Sequence, residues 1–195
     1  AAAVPIAGLN GLTQVVLCFV PITDAGLARL ARHETLGTVA LRGVPLTGTG
    51  FADFRDNLKT VVLLGQKVSL DGLAAIGKLP GLEQLNLDGS TLTAEHLRSL
   101  AGSRLNNLNL ADTGVTRTGL ETLTGLPQLR QLTLRSCQLT DADLEPVRKL
   151  ERLESLCVLQ NPALKEVTLR EFARARTGLR IETDHGILFE EATRR

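Results

Sequence analysis

The sequence predicts an α/β solenoid, in which a curved parallel β-sheet lines the concave face and helices line the convex face. Three observations support this fold class. Leucine supplies 39 of the 195 residues, a motif of the form L-x-x-L-x-L begins seven times at intervals of 22 to 24 residues, and each interval combines a strand period with a helix period. Regular self-similarity of this kind is typical of chains whose units each pack against their neighbours.

Each repeat is expected to contain one strand and one helix. In the clearest repeat, Leu108 and Leu110 are two residues apart, which is the period of a strand with alternate side chains inward. Leu120 and Leu123 are three apart, which is typical of the buried stripe of a helix. The seven repeats begin at Leu12, Leu36, Leu58, Leu82, Leu105, Leu129 and Leu153.

A residue with a hydroxyl group recurs between the strand and the helix of the first six repeats. Such a side chain can accept a hydrogen bond from an unpaired backbone N–H at a helix start, so we expect it to be the N-cap. Asp24 and Asp141 follow it in two repeats, where a negative charge meets the positive end of the helix dipole. The predicted N-caps are Thr23, Thr47, Ser69, Thr93, Thr116 and Thr140.

The predicted stack must curve. Neighbouring strands are about 4.8 Å apart in a sheet, whereas packed helices need about 8–10 Å. The row of strands is therefore shorter than the row of helices, which places the strands on the inner face.

This repeat resembles the leucine-rich repeat family, in its form of about 24 residues related to the ribonuclease-inhibitor-like solenoids. Ile22-Thr23-Asp24-Ala25-Gly26-Leu27 is similar to the I-T-D-A-G-L phrase of bacterial repeats of this type and of F-box leucine-rich repeats. Leu179-Arg180-Ile181-Glu182 resembles the short last strand that often closes bacterial arrays. The resemblance implies a leucine-rich repeat solenoid of about seven repeats over residues 12–182. We expect a cap or remnant at residues 1–11 and a cap or tail at residues 183–195.

The resemblance also implies a buried Asn, Thr or Cys after each strand, whose side chain hydrogen-bonds the neighbouring backbone. The last four residues at this position fit that pattern. The two valines do not fit, and Gln66 is long for the position, so we expect irregular bonding in the first three repeats. The seven residues are Val20, Val44, Gln66, Ser90, Thr113, Cys137 and Asn161.

The residues between the strand leucines are expected to face the concave surface. Val16, Phe19, Val62 and Leu64 form an apolar group there, which we call the N-terminal patch. An exposed apolar patch marks either an interaction site or a missing cover, and the sequence leaves both open, the cover being residues 1–11 or an upstream segment. The middle of the face is polar. The candidate partner-binding residues are Phe19, Leu64, Asn86, Asp88, Asn109, Asp112 and Arg135.

Several classes of function are disfavoured. The 22 basic and 21 acidic residues give a net charge of +1, without the basic excess of a nucleic-acid binder. No apolar run of about 18 residues predicts a membrane span. Three unpaired cysteines without a C-x-x-C motif, and three histidines without ligand spacing, predict neither a disulfide framework nor a metal site.

Catalysis and cofactor binding are not expected either. Gly72 to Lys78 match the first part of a P-loop, but Leu79 stands where a Ser or Thr must hold Mg²⁺. No Ser or Cys has the sequence context of a nucleophile. We therefore expect a protein without cofactors that is not an enzyme.

The sequence favours a protein–protein interaction module that binds a protein partner through the concave face. The resemblance implies an alternative, the substrate-recruiting region of a ubiquitin-ligase-like bacterial effector or of an F-box-type protein. The chain has no initiating Met, so we expect a processed form or a piece of a longer protein, whose other domains would be further partners. The first residues are not typical of a signal peptide, and the compartment stays open between the cytoplasm and secretion as an effector.

Overall fold

The structure is a computed structural model that describes residues 11–189. Over this range the strands form one sheet in chain order, so each strand lies beside the one that precedes it in the sequence. The strands are β1 (Gln14–Cys18), β2 (Thr38–Arg42), β3 (Thr60–Leu64), β4 (Gln84–Asn86), β5 (Asn107–Asn109), β6 (Gln131–Thr133), β7 (Ser155–Cys157), β8 (Arg180–Thr183) and β9 (Gly186–Phe189).

Strands β1 to β8 pair in parallel, and equivalent residues of successive repeats are direct partners. Leu85, Leu108 and Leu132, for example, lie side by side on β4, β5 and β6. Strand β9 instead pairs antiparallel with β8 and occupies the edge that β8 would otherwise expose. The predicted α/β solenoid is confirmed.

The helices are short. Isolated helices of one to three turns are marginal in water, so packing between repeats must hold them. Repeats two and six use 3-10 helices in place of α-helices. The α-helices are α1 (Asp24–Leu30), α2 (Leu70–Gly77), α3 (Ala94–Arg98), α4 (Arg117–Thr122) and α5 (Glu166–Arg174), and the 3-10 helices are Thr49–Asp53, Leu123–Gly125 and Asp141–Lys149.

One continuous apolar core runs through all seven repeats between the sheet and the helices. The leucines that begin repeats two to five are fully enclosed: Leu36, Leu58, Leu82 and Leu105. Leucine therefore recurs because every repeat offers the same inner position, and each repeat buries that position against its neighbours.

The N-cap prediction is confirmed in five repeats and wrong in repeat two. Thr23, Ser69, Thr93 and Thr116 each accept a hydrogen bond from the backbone N–H three residues later. In repeat six Thr140 is the N-cap, and its backbone N–H and hydroxyl both donate to the carboxylate of Asp143. In repeat two the 3-10 helix is capped by Gly48, which has a positive φ. The hydroxyl of Thr47 donates to the carboxylate of Asp24 instead.

Asp24 links repeat one to repeat two. Its carboxylate accepts hydrogen bonds from the backbone N–H groups of Thr47 (2.9 Å), Gly48 (2.9 Å) and Gly50 (3.1 Å), besides the Thr47 hydroxyl. Asp24 is the first residue of α1, as predicted. Its carboxylate also satisfies the unpaired N–H groups at the helix start of the next repeat. Asp141 has a similar role, since it accepts from the backbone N–H of Lys165.

Buried side chains after the strands hydrogen-bond the preceding repeat, and we call this series the side-chain ladder. Asn161 is its most complete member. Its Oδ1 accepts from the backbone N–H groups of Cys137 (3.1 Å) and Leu139 (3.0 Å), and its Nδ2 donates to the carbonyls of Leu134 and Val158. One amide thus satisfies backbone groups of two repeats.

The same bonding recurs earlier in the chain. The thiol of Cys137 donates to the carbonyl of Leu110, and the hydroxyl of Ser90 donates to the carbonyl of Leu63. Ser90 Oγ also accepts from the backbone N–H of Gln66. The predicted pattern is therefore present between repeats three and four and between repeats five and seven. It is wrong for Thr113, which is half-buried and whose hydroxyl donates to the carbonyl of Leu110 in its own repeat.

Gln66 extends the ladder into the irregular repeats. In the amide orientation that satisfies both of its ends, Nε2 donates to the carbonyl of Val44 (2.9 Å) and Oε1 accepts from the N–H groups of Gly43 and Val44. Its extra length lets it bond repeat two, where a valine occupies the ladder position. The bonding in repeats two and three is thus irregular, as expected, and the long side chain of Gln66 replaces the bonds that Val44 cannot make.

We expect Asn161→Ala to lower the free energy of unfolding by about 2–4 kcal/mol, because it leaves the buried N–H groups of Cys137 and Leu139 unpaired. Chemical denaturation measures the loss. Asn106→Ala is the matched control, since Asn106 is half-buried and has no side-chain hydrogen bond within residues 11–189, and it should change stability by less than about 0.5 kcal/mol. Equal losses in the two variants would contradict the role of the ladder.

A second prediction concerns pH. Partial burial alone would raise the pKa of Asp24, but the hydrogen bonds from Thr47, Gly50 and Gly48 outweigh it and lower the pKa below its usual value. A carboxylate with a lowered folded pKa stabilises the protein above about pH 4, and the contribution disappears as the pH falls through the folded pKa.

We expect Asp24→Asn to lose about 1–2 kcal/mol at pH 7, with the difference from wild type shrinking as the pH falls from about 4 to 2. Denaturant unfolding at several pH values measures it. Asp71→Asn is the control, because Asp71 is exposed in the first turn of α2 and makes no bond within the described range. A difference that stays constant down to pH 2 would show that the charge of Asp24 is not responsible.

Candidate functional site: the concave face

The concave face changes character between β3 and β4. One row of paired positions crosses all seven repeats, and it begins with aliphatic residues and continues with polar ones. The row is Val16, Ala40, Val62, Asn86, Asn109, Thr133 and Cys157. The change of polarity that the sequence suggests is therefore a property of one continuous surface.

Asn86 and Asn109 lie next to each other on β4 and β5. The Oδ1 of Asn86 accepts from the backbone N–H of Asp88, and the Oδ1 of Asn109 accepts from that of Ala111, both at 2.9 Å. Each amide is therefore fixed by its own backbone and keeps its N–H groups for a partner. Both side chains line a shallow depression of about 290 Å³.

Asp88, Asp112 and Arg135 form one charged cluster. The guanidinium of Arg135 lies 3.2 Å from the carboxylate of Asp112 and 3.8 Å from that of Asp88. It also approaches the amide oxygen of Gln160, which accepts a hydrogen bond from the hydroxyl of Ser136. The cluster is partly exposed and carries one net negative charge, so its side chains are held in place and remain accessible.

The N-terminal patch is exposed. Phe19 is 73% exposed and Val16 58%, whereas Val62 and Leu64 are half-buried. These four residues lie on β1, on β3 and directly after β1, around the concave end of the array. Exposed aliphatic and aromatic side chains grouped in this way are unusual on a surface that faces only water.

Phe19 has a backbone conformation that glycine usually adopts. Its φ is +54°, and the equivalent positions of the next repeats are Gly43 and Gly65, which also have positive φ. A bulky residue at positive φ is strained by about 1–3 kcal/mol. The ring rests against Gly43, where a Cβ atom would lie 2.5 Å from Phe19 Cδ1, and the guanidinium of Arg42 lies 5.8 Å from the ring centroid.

The seven candidate residues thus form two groups on the same face. Asn86, Asp88, Asn109, Asp112 and Arg135 belong to the polar group, in which Arg135 contacts both aspartates.

Phe19 and Leu64 belong to the apolar group, and sequence reasoning did not place Arg42 between them as a candidate. A signal was available, because Arg42 is the only charged residue of β1, β2 and β3. The contact of Gln160 with Arg135 and the hydrogen bond from Ser136 to Gln160 were also missed, and no sequence pattern indicates them.

The cysteines and histidines have no common site. The cysteines are free; Cys137 is buried and Cys157 half-buried, whereas Cys18 is exposed. Burial raises the pKa of the Cys137 and Cys157 thiols, which makes them poorer nucleophiles at neutral pH. His96 Nδ1 lies 2.7 Å from the N-cap hydroxyl of Thr93, a structural role.

Residues 11–189 offer neither a metal-binding cluster nor a membrane-spanning helix. No group of three or more His, Cys, Asp or Glu side chains is arranged to hold a metal ion. No helix in this range is both long and apolar enough to cross a bilayer.

A larger cavity of about 800 Å³ lies elsewhere, beside the end of α1. Its charged walls include Arg29, Arg32 and Arg55 together with Glu34, Asp53 and Asp56. Mixed charges of this kind are typical of a hydrated surface groove. The cavity lies away from the candidate residues, and its size alone does not make it a binding site.

Comparison with solved structures places the fold. Internalin C2 from Listeria monocytogenes superimposes with a TM-score of 0.61 at 19% sequence identity, over 93% of this chain and 74% of that one. Human 5T4, the trophoblast glycoprotein, superimposes with a TM-score of 0.62 at 20% identity, over 88% of this chain and 76% of that one. No protein-family model matches the sequence. No curated protein matches it either.

Both structures contain leucine-rich repeats. Both superimpose on this chain at a level of identity that supports the fold alone. The chain therefore has the fold of a leucine-rich repeat solenoid.

Proposed function

We propose that the chain is a non-enzymatic module that binds a protein partner through its concave face, with Phe19, Leu64, Asn86, Asp88, Asn109, Asp112 and Arg135 as contact residues. One observation carries the proposal. The polar side chains of this face are fixed by intramolecular bonds while they remain accessible, and they adjoin an exposed apolar patch. Side chains that are ordered before binding lose less conformational entropy in a complex.

The architecture supports the same proposal. Repeats one to seven present their strands side by side, so a partner can contact several repeats at once. In such interfaces a few central residues contribute most of the binding energy, and the surrounding contacts exclude water. Among the side chains that the structure describes on the concave face, Phe19 is the one exposed aromatic residue, so we expect the polar cluster to contribute much of the specificity.

We further propose that residues 12–182 form the solenoid and that residues 183–195 form its C-terminal cap. The pairing of β9 with β8 supports the second part, because it covers the last parallel strand. Leu188 is buried in the core at that end. Residues 1–10 and 190–195, which include most of the expected N-terminal cap and the end of the tail, lie outside the described range.

The alternative is the substrate-recruiting region of a ubiquitin-ligase-like bacterial effector or F-box-type protein, and it shares the concave binding face. The I-T-D-A-G-L phrase that motivates it has a structural explanation here. Ile22 and Leu27 are buried in the core, Thr23 caps α1, and Asp24 bonds repeat two. The phrase is thus accounted for by folding, and we favour the general interaction module.

The double variant Asp88→Lys with Arg135→Glu tests the proposal. It keeps the net charge and reverses the charge pattern of the cluster, so capture of the partner from the native source should be lost. Its melting temperature should stay within about 4 °C of wild type, because exposed ion pairs contribute about 1 kcal/mol or less. Quantitative affinity capture and thermal unfolding provide the two readouts.

The matched control is Glu166→Lys with Arg170→Glu on α5, which reverses an exposed ion pair on the helix side. This variant should capture the partner as wild type does. If the concave variant also captures normally, the polar cluster is not the binding surface and the proposal fails.

A further inference from the structure

Arg42 has an unusual position at the end of β2. It is exposed, and among residues 11–189 its one described side-chain contact is the Phe19 ring. Apolar side chains border it, since its strand neighbours are Cys18 and Leu64. A carboxylate that pairs with a cation in such surroundings is screened less by water than one on a fully solvated surface.

A row of alternating character begins at this arginine. Leu64 is the partner of Arg42 on β3, and Asp88 follows in the next repeat, where its carbonyl accepts from the N–H of Gly65, directly after Leu64. Three successive repeats therefore present a cation, an aliphatic side chain and a carboxylate.

The two charged ends of this row differ in how far they are neutralised. Arg42 faces no carboxylate in the described range, whereas Asp88 and Asp112 share one arginine, Arg135. The face is thus positive beside the N-terminal patch and negative at the polar cluster. A partner complementary to it must carry the opposite order of charges.

The spacing restricts the conformation of that partner. With strands about 4.8 Å apart, Arg42 on β2 is about 10 Å from the repeat of Asp88 and about 14 Å from that of Asp112. An extended chain rises about 3.3 Å per residue, so side chains at i, i+2 and i+4 point to one side and span about 13 Å. The span of about 13 Å between side chains i and i+4 therefore lies between the distances of about 10 Å and about 14 Å that separate Arg42 from the repeats of Asp88 and Asp112.

We propose that this row binds an extended segment of a protein partner that carries a carboxylate, an apolar side chain and a cation at alternate positions. The carboxylate pairs with Arg42, and the apolar side chain packs on Leu64 and Phe19. The cation pairs with the negative charge of Asp88 and Asp112 that Arg135 leaves uncompensated. The inference rests on the proposed function and specifies the chemistry of the partner.

Phe19 fits this role better than a role in folding. Its ring is mostly exposed, its backbone is strained, and its contact with Gly43 holds it beside Arg42. Strained residues that contribute little to the core often belong to functional sites. Here the ring forms the wall of the apolar position.

Selection from a phage library of random peptides of about nine residues tests the inference, since that length exceeds the span of about 13 Å. Wild type should enrich peptides with an acidic and a basic residue four positions apart and an apolar residue midway, in either chain direction. The variant Arg42→Glu should enrich peptides that carry a basic residue where the wild-type set carries the acidic one. Arg98→Glu, an exposed arginine of α3, makes the same charge change on the helix side and should leave the wild-type preference intact.

A synthetic peptide with the enriched sequence then gives affinities by calorimetry. We expect Arg42→Glu to bind this peptide at least tenfold more weakly than wild type does. A peptide with Lys in place of its acidic residue should bind Arg42→Glu with the lost affinity restored. Phe19→Gly should weaken binding by a similar factor without a lower melting temperature, because glycine suits a φ of +54°.

Each other outcome overturns the inference in a distinct way. If the variant Asp88→Lys with Arg135→Glu no longer binds the peptides but Arg42→Glu binds them as wild type does, the proposed function stands and this inference fails. If binding is indifferent to both changes, both proposals fail. If nothing is enriched while wild type sediments as a dimer that Phe19→Gly dissociates, a second copy of the chain covers the patch.

Discussion

Each repeat of this protein depends on a hydrogen bond that comes from its neighbour. The backbone between a strand and the next helix is partly buried, and its N–H and C=O groups cannot remain unpaired without a large loss of stability. Asn161, Ser90 and Gln66 bond the repeat before them, and Asp24 bonds the repeat after it. These bonds fix the stacking distance, and the curvature follows because helices need more space than strands.

This dependence separates the side chains that serve folding from those that remain for binding. The leucines fill the core, and the hydroxyls, amides and Asp24 satisfy the turns. The concave face keeps ordered polar groups such as Asn109 and Arg135 beside an apolar patch that the fold does not use. In the proposed binding mode, specificity lies in the order of charges along the strands.

The architecture could be predicted from the sequence because the same pattern of buried strand and helix positions occurs in all seven repeats. The strands, the helix starts at Thr23 and Thr116, and the ladder bonds of Ser90, Cys137 and Asn161 all follow from spacing and residue type. The sequence predicted the site less well. The strand pattern does not determine side-chain geometry, so it did not predict that Arg135 contacts two aspartates or that backbone N–H groups donate to the oxygens of Asn86 and Asn109. It also did not predict the 3-10 helix after Gly48, which depends on backbone geometry.

In the proposed binding mode, the partner contacts the inner face of the sheet. Photo-crosslinking tests it most directly, with a photoreactive amino acid at Gln84 or Gln131 on the sheet and at Glu95 or Thr118 on the helices, all of which are exposed. The two sheet positions should give a discrete covalent adduct in extracts of the native source, and the two helix positions should give none. Adducts that form from Glu95 and Thr118 alone would contradict binding at the concave face and place the binding surface on the convex side.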